Sequence, residues 1–241
     1  MIQLRVFGTL RLYSEQADEV GDLIVQPKAI ALLLYLVLAR PRGFHQRDLL
    51  VALFWPELDQ EHARASLRKA VHRIRQALGD DVVASRGAES LAITDVLRCD
   101  ATDFDDALAD DRFREAVDLY EGELLPGFHL AGSAEFDHWL EQRRAYYRER
   151  AVSAAWQLVE YYAGDREFTN ASQIARLVAR LASTDERMLR RVLTMLARLG
   201  DRAGAIDIYC KFADRLWKDY ETRPSTETVR LVESIQANMI V

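Results

Sequence analysis

Residues Asp59–Gly79 read D-Q-E-H-A-R-A-S-L-R-K-A-V-H-R-I-R-Q-A-L-G, and this stretch decides how the chain is interpreted. Apolar residues recur in it at spacings of four, three and four, which is typical of a single buried stripe on an α-helix. They are Leu67, Val71, Ile74 and Leu78. Asp59 suits the N-cap of such a helix, and Gly79 suits its end. The sequence therefore predicts one amphipathic helix here.

The remaining circumference of this helix is mostly basic. It carries Arg64, Arg68, Lys69, His72, Arg73 and Arg75. A helix that buries one side and presents cations on the other fits an element that lies in a DNA groove. A solvated surface helix has a similar composition, so the neighbouring segments have to distinguish the two interpretations.

The segments before this helix predict a small sheet. Ile2–Val6 and Leu10–Leu12 alternate apolar with polar or small residues, as two short strands do, and Leu23–Val25 is interpreted as a third strand. Tyr13–Asp22 is polar and acidic, which favours a turn or loop. We therefore expect an N-terminal antiparallel sheet.

Two helices are predicted next. Pro27 suits the first position of a helix, and Lys28–Arg40 is almost wholly apolar, as a central core helix is. His45–Phe54 predicts a shorter helix, and Trp55–Leu58 is a tight connection to the basic helix. The residues expected to point inward from the shorter helix are Leu49, Leu50, Leu53 and Phe54. Helix, short linker and basic helix follow one another in the helix-turn-helix order.

A β-hairpin is predicted directly after the basic helix. Val82–Val83 and Leu91–Ile93 are β-type segments, and Arg86–Gly87 lies between them at the expected tip. Such a hairpin is a wing, and Arg86 at its tip could reach a phosphate or the minor groove. Alternatively, Arg86 is an ordinary exposed arginine.

The net charge of −6 is unevenly distributed. Residues 1–100 hold 13 basic and 13 acidic side chains, whereas residues 101–241 hold 19 and 25. A basic patch on a neutral domain can bind phosphate, while the acidic remainder is not expected to contact DNA.

The composition also indicates the compartment. The two cysteines, Cys99 and Cys210, are far apart, which favours a reducing cytoplasm over a disulfide framework. The N-terminus lacks the pattern of a signal peptide, and the longest apolar run, Ala29–Ala39, is too short to span a membrane.

No enzyme chemistry is expected. The five histidines include no pair at the i, i+4 spacing of a zinc motif, and neither a nucleophile motif nor a G-x-x-x-x-G-K-[ST] loop occurs. We therefore expect no catalytic residue, no metal and no cofactor.

A domain boundary is predicted near Asp100–Ala109, which is acidic and polar apart from two residues. Its carboxylates, and those that follow, are expected in a solvated loop: Asp103, Asp105, Asp106, Asp110 and Asp111. This gives an N-terminal domain of residues 1–98 and a second domain of residues 99–241. The second is helical in pattern, at 113–121, 136–163, 168–181, 185–199, 202–219 and 226–238.

A short internal repeat occurs in this helical part. The triplet G-D-R stands at 164–166 and again at 200–202, each time between two helical patterns. A period near 34 residues is typical of tetratricopeptide-like repeats, which stack and leave a protein-binding groove. An ordinary helical bundle is the alternative.

Together these segments resemble a known family. Gln26–Leu38, Gln46–Trp55, Ala63–Gly79 and Val82–Ile93 match the order of an OmpR-type winged helix. The resemblance is closer at Q-R-D-L-L-V-A-L-F-W-P (46–56) and at A-R-A-S-L-R-K-A-V-H-R-I-R-Q-A-L-G (63–79). In the second half, D-L-Y-E-G-E-L-L-P-G-F (118–128), W-L-E-Q-R-R (139–144) and G-D-R-A-G-A-I-D-I-Y (200–209) resemble a bacterial transcriptional activator domain. The chain is thus similar to the Streptomyces antibiotic regulatory protein family. The fold implied is an α+β winged helix-turn-helix followed by an all-α tetratricopeptide-like domain, mostly α overall.

The resemblance implies a DNA-binding activator. Members bind direct-repeat promoter sites as side-by-side protomers and recruit RNA polymerase, so promoter DNA, polymerase and a second copy on DNA are the expected partners. The Trp55–Asp59 connection lies where related winged helices meet polymerase, although Trp55 itself is expected in the core. The expected DNA-binding residues are Arg64, Ser66, Arg68, Lys69, His72, Arg73, Arg75 and Arg86.

Two further expectations accompany the resemblance. Longer relatives append other domains, and none is expected after Asn238 in this chain. The alternative function is a protein-interaction adaptor, in which the helical array binds a partner and the winged helix is a docking surface. An adaptor has no need of a row of cations on one helix, so DNA binding distinguishes the two.

Overall fold

The computed structural model describes residues 1–14 and 21–237, which form two compact units. The first unit comprises Met1–Asp111 and Asp118–Tyr147. The second comprises Arg112–Val117 and the described residues from Arg148 onward. That residues 1–98 fold independently stays a prediction. The two compact units divide the chain at other positions. Of the predicted loop Tyr13–Asp22, residues 15–20 lie outside the described residues.

The first sheet combines the two ends of the winged-helix sequence. Its strands are β1 (Ile2–Arg5), β2 (Arg11–Tyr13) and β6 (Leu97–Cys99), in the order β2-β1-β6. Strands β1 and β2 are antiparallel, which confirms the first two predicted strands, whereas β6 pairs with β1 in parallel. The third strand of this sheet was missed by sequence analysis.

The strand predicted at Leu23–Val25 is wrong. This segment belongs to a short helix, α1 (Gly21–Ile24), in which Leu23 is buried while Val25 beyond it is 76% exposed. A run of three apolar residues has no periodicity that separates strand from helix, so its β-type composition was misleading.

Three helices form the core of the first unit. They are α2 (Pro27–Leu38), α3 (Arg47–Phe54) and α4 (Gln60–Leu78), and their order confirms the predicted helix-turn-helix. Trp55, in the connection between α3 and α4, is buried as expected. The expectation for Leu49 is wrong, because its side chain is 63% exposed. A helix of eight residues buries only one side here, and Leu50, Val51 and Phe54 occupy it.

A second small sheet follows α4. Its strands are β3 (His45–Gln46), β4 (Val83–Arg86) and β5 (Ser90–Ile93), in the order β3-β5-β4. Strands β4 and β5 are antiparallel, with Arg86 opposite Ser90 at the turn. The predicted wing is therefore confirmed, and β3 ties it to the start of α3.

The segment predicted as a solvated acidic loop is instead a helix, α5 (Asp100–Ala109). Asp105 is nearly buried, forms an ion pair with Arg40 and accepts a hydrogen bond from the Tyr147 hydroxyl at 3.1 Å. Asp100 accepts hydrogen bonds from the backbone N–H groups of Val6 and Phe7. Burial raises the pKa of Asp100 above its ordinary value, and these hydrogen bonds oppose the rise. Asp100 and Asp105 therefore stabilise the first unit, because each bonds to groups that are distant in the sequence. The local sequence does not reveal these partners.

The remaining helices confirm the predicted helical half. They are α6 (Phe113–Leu119), α7 (Ala134–Gly164), α8 (Phe168–Leu181), α9 (Glu186–Arg198), α10 (Arg202–Tyr220) and α11 (Thr226–Gln236). In the second unit α9 packs against α8, α10 and α11. The second G-D-R triplet supplies a cap, since Asp201 accepts a hydrogen bond from the backbone N–H of Gly204 at 3.0 Å. In the described part of the chain, every helix is too short or too polar to cross a bilayer.

Candidate nucleic-acid interface

The start of α4 is fixed by its N-cap residue, as the sequence predicts. Asp59 accepts hydrogen bonds from the backbone N–H groups of Glu61 and His62, both at 3.1 Å, and its other oxygen lies 2.6 Å from Nδ1 of His62. The hydrogen bonds from His62 hold the pKa of Asp59 below its ordinary value. The cap sets where the helix begins, and therefore which residues face outward.

The apolar stripe of α4 is buried as predicted. Leu67, Val71, Ile74 and Leu78 are joined on this face by Ala63 and Ala70, and α4 packs against α2 and α3. Because a helix turns once every 3.6 residues, this burial leaves the opposite face in solvent.

The exposed face of α4 presents four basic side chains to solvent. Arg68, Lys69, His72 and Arg73 are all exposed. Within residues 1–14 and 21–237, no hydrogen bond or ion pair engages any of these four side chains. Positive groups held in solvent on one helical face can interact with phosphates or with the acceptor edges of guanine.

Arg64 and Ser66 differ from these four. The Arg64 guanidinium forms an ion pair at 2.8 Å with Asp48 of α3, so it also links the two helices of the helix-turn-helix. A phosphate would have to compete with this carboxylate. Ser66 is half-buried in the second turn of α4.

Arg75 connects α4 to the wing. Its Nη2 donates to the carbonyl oxygen of Val83 at 2.7 Å and to Oγ of Ser85 at 3.3 Å. Arg47, the first residue of α3, donates to the same Ser85 hydroxyl at 3.3 Å. Two guanidinium groups from different helices thus converge on one side chain of strand β4.

This convergence gives a positive cluster at the junction of α3, α4 and the wing. Burial, together with the charges of Arg75 and Arg68, lowers the pKa of Arg47 from its ordinary value. Among the described residues no carboxylate lies within ion-pair distance of these three arginines. Like charges gathered without a counter-ion favour the binding of an anion.

Sequence analysis missed Arg47. Its position at the start of α3 was visible as the arginine of Q-R-D-L-L, but its approach to Ser85, 38 residues later, depends on the folding of the wing. Arg86 lies where it was expected, in the last position of β4, and its guanidinium stacks 4.0 Å above the ring centre of Phe44. This stacking orients Arg86 while leaving it exposed.

Of the comparisons with known proteins, one concerns the family of the chain and another concerns its fold. The family model described as "Bacterial transcriptional activator domain" matches residues 91–236. A structure of Mycobacterium tuberculosis EmbR in complex with a low affinity phosphopeptide is similar in fold, with a TM-score of 0.60 and 20% sequence identity. The alignment covers 98% of this chain and 65% of the EmbR chain, so this chain spans less than two thirds of that protein. A comparison with curated proteins gave no match.

These findings confirm the predicted fold class, a winged helix-turn-helix followed by a mostly α-helical, tetratricopeptide-like part. They also confirm the resemblance to the regulator family at its activator domain.

Proposed function

Because the chain belongs to the bacterial transcriptional activator domain family and is a transcriptional regulator of that type, we propose that it binds promoter DNA through α4 and the wing. The observation that carries the proposal is the exposed face of α4, where Arg68, Lys69, His72 and Arg73 project without intramolecular partners among the described residues. An α-helix fits the major groove of B-DNA, so such a face can contact base edges there.

The proposed roles follow from how firmly each side chain is already held. Arg68 and Arg73 are free to adopt the bidentate geometry that recognises guanine. Arg47 and Arg75 are held at the junction with the wing and contact the phosphate backbone, as does Arg86 at the wing tip. Arg64, engaged by Asp48, has the smaller role of positioning α4.

Two finer parts of the proposal rest on the family. The regulator acts as an activator on direct-repeat sites, where two copies bind side by side and recruit RNA polymerase, and it works in the cytoplasm. These parts are supported by membership of the activator-domain family, and the DNA-binding experiments below do not depend on them.

Binding to random duplex DNA is expected to weaken steeply with salt. Neutralising several phosphates releases condensed counter-ions, so the logarithm of affinity falls with slope of about −0.9 per phosphate contact. A fluorescence-anisotropy titration between roughly 50 and 200 mM salt measures this slope. The absence of detectable binding at the lowest salt would rule out the DNA-binding proposal and favour the protein-interaction adaptor.

Alanine at Arg68 or at Arg73 is expected to reduce affinity for a selected specific site by about 1–3 kcal/mol, or roughly 5- to 150-fold, and to relax sequence preference at one position. Alanine at Arg47 should instead weaken binding to all sequences similarly and reduce the salt slope by about 1. Arg202→Ala, an exposed change in the second unit, is the matched control. Unchanged affinity in both the Arg68 and Arg73 variants would show that residues elsewhere in the protein contact the bases.

A further inference from the structure

The second unit contains a groove of about 720 Å³ between α7, α9 and α11. Arginines dominate its lining although the chain beyond residue 100 is acidic overall. They are Arg187, Arg190, Arg191, Arg198 and Arg230, and we call this feature the arginine groove.

Three of these arginines form a row along α9. Arg187, Arg191 and Arg198 follow one another on α9 at intervals of four and seven residues, which return to the same helical face. Eleven residues of helix span about 16 Å. The row therefore matches a bound segment of roughly three helical turns or five extended residues.

Three of the arginines are available for a ligand. Arg187, Arg198 and Arg230 are exposed, and no side-chain hydrogen bond or ion pair engages them in the described part of the chain. Arg190, by contrast, pairs with Glu227 at 3.1 Å and donates to Oγ1 of Thr228 at 3.1 Å. The groove thus has fixed and unfixed positive groups side by side.

The groove also has an apolar component. Trp156 of α7 is buried at its edge, with the Arg191 guanidinium 4.2 Å above its ring centre, and Met195 and Leu231 contribute to the lining. The Trp156 indole donates to Glu160 at 2.6 Å, which fixes the ring under the arginine. A ligand side chain of apolar character can therefore be received between the charges.

Two carboxylates decide which class of ligand fits. Glu160 and Glu227 also line the groove, 3.7 Å from Arg191 and 3.1 Å from Arg190, and they would repel the evenly spaced charges of a nucleic-acid backbone. A protein segment can place its own carboxylates opposite the arginines and its apolar residues opposite Trp156, Met195 and Leu231. A groove that carries charges of both signs binds best to a segment with the complementary pattern of charges, which favours specific recognition of a protein.

We propose that the arginine groove binds an acidic, amphipathic segment of a partner protein, with carboxylates paired to Arg187, Arg198 and Arg230 and an apolar side chain placed near Trp156. This inference does not depend on DNA binding by the first unit. It gives the second unit a site through which a regulator can be connected to another protein.

The test uses the full chain and a fluorescein-labelled 14-residue peptide. The peptide carries glutamate and aspartate at most positions, with leucine or phenylalanine at every third or fourth. A second peptide has glutamine and asparagine in place of every acid. We expect the acidic peptide to bind, the amide peptide to bind at least about tenfold more weakly, and the difference to shrink as salt rises.

Charge reversal locates the site. The double variant Arg187→Glu, Arg198→Glu is expected to lose at least about tenfold in affinity for the acidic peptide, because like charges then face each other. The control variant Arg202→Glu, Arg223→Glu makes the same change in net charge at exposed positions outside the groove lining. Both pairs lie on exposed surface, and thermal unfolding by circular dichroism checks that folding is retained.

Each outcome is decisive. The proposal is supported if the groove variant loses affinity for the acidic peptide while the control variant retains it. If the groove variant still binds duplex DNA as the unaltered chain does, peptide binding by the groove is separate from the function of α4. No binding of the acidic peptide, equal binding of the amide peptide, or equal loss in both variants overturns it. A short oligonucleotide that displaces the peptide, and that itself binds the groove variant equally weakly, would overturn the proposal and show that the groove binds nucleic acid.

Discussion

Replacing Arg144 by alanine is expected to destabilise the first unit by about 3–5 kcal/mol, because three hydrogen bonds from a buried charged donor are lost. Arg144 is a buried arginine of α7. Its Nε donates to the carbonyl oxygen of Leu124 at 3.0 Å, and its Nη2 donates to the carbonyl oxygens of Leu125 and Phe128. Alanine would leave the carbonyl oxygen of the fully buried Leu124 without a donor among the described residues, while that of Leu125 would keep only the backbone N–H of Phe128.

The loop that Arg144 holds pairs with the residues that follow strand β1, through an isolated antiparallel bridge between Leu124 and Phe7. The backbone N–H of Gly8 donates to the carbonyl oxygen of Glu123 at 2.9 Å, and that of Leu125 donates to the carbonyl oxygen of Val6 at 2.8 Å. Gly122 packs so closely that a Cβ there would lie 3.3 Å from Cα of Gly8. Loss of the arginine therefore disturbs both the loop and the segment that follows β1.

Thermal unfolding of the full chain, followed by circular dichroism, measures the effect as a lowered midpoint of roughly 6–20 °C for the transition of this unit. Arg143→Ala is the matched control, because the neighbouring Arg143 mainly stacks over Tyr146, at 5.0 Å. Its loss should cost less than about 1 kcal/mol. Arg144→Lys keeps the charge but not the planar fork, so we expect an intermediate loss. A midpoint for Arg144→Ala that equals that of the control would show that the three carbonyl contacts contribute little.

Elements whose partners are local were predictable from sequence. The basic helix could be placed almost to the residue, because its cap, its apolar spacing and its terminal glycine all lie within one stretch. The wing was predictable for the same reason, with β-type segments on both sides of Arg86–Gly87. The predicted helices after residue 112 agree closely with the observed bounds, because helical periodicity is a repeated local signal.

Features that depend on distant partners were not predictable. Strand β6 has only three residues, and its parallel pairing with β1 joins positions about 95 apart in sequence. Asp105 has the composition of a surface loop residue, yet it lies among Arg40 and Tyr147, which the fold brings to it. Arg47 joins the candidate site only through Ser85 of the wing. In each case the local sequence is too short or too polar to reveal the partners, so the role of the segment is set by tertiary contacts.

A fragment of residues 1–147 is expected to fold, whereas a fragment of residues 1–98 is not. Three rings contact Phe7, at centre distances of 4.8–5.5 Å, and all come from residues after 98: Phe104, Tyr120 and Tyr147. Similarly, Phe54 contacts Phe136 at 5.4 Å, and Tyr35 contacts Trp139 at 4.7 Å. The shorter fragment would expose the rings of Phe7, Phe54 and Tyr35. It would also leave the backbone N–H groups of Val6 and Phe7, which donate to Asp100, without that acceptor.

The magnitudes indicate why the shorter fragment should fail. Each large apolar side chain returned to water costs about 1.5–3 kcal/mol, and a whole domain is stable by only about 5–15 kcal/mol. Exposing Phe7, Phe54 and their neighbours therefore removes most of the margin of stability.

Dispersed amide signals in a nuclear magnetic resonance spectrum and a cooperative thermal transition distinguish a folded fragment from an unfolded one. If residues 1–98 gave both, the domain division predicted from the sequence would be correct, and α5 together with residues 118–147 would be an accessory layer. If only residues 1–147 gave both, the winged helix would require the start of the activator domain to fold.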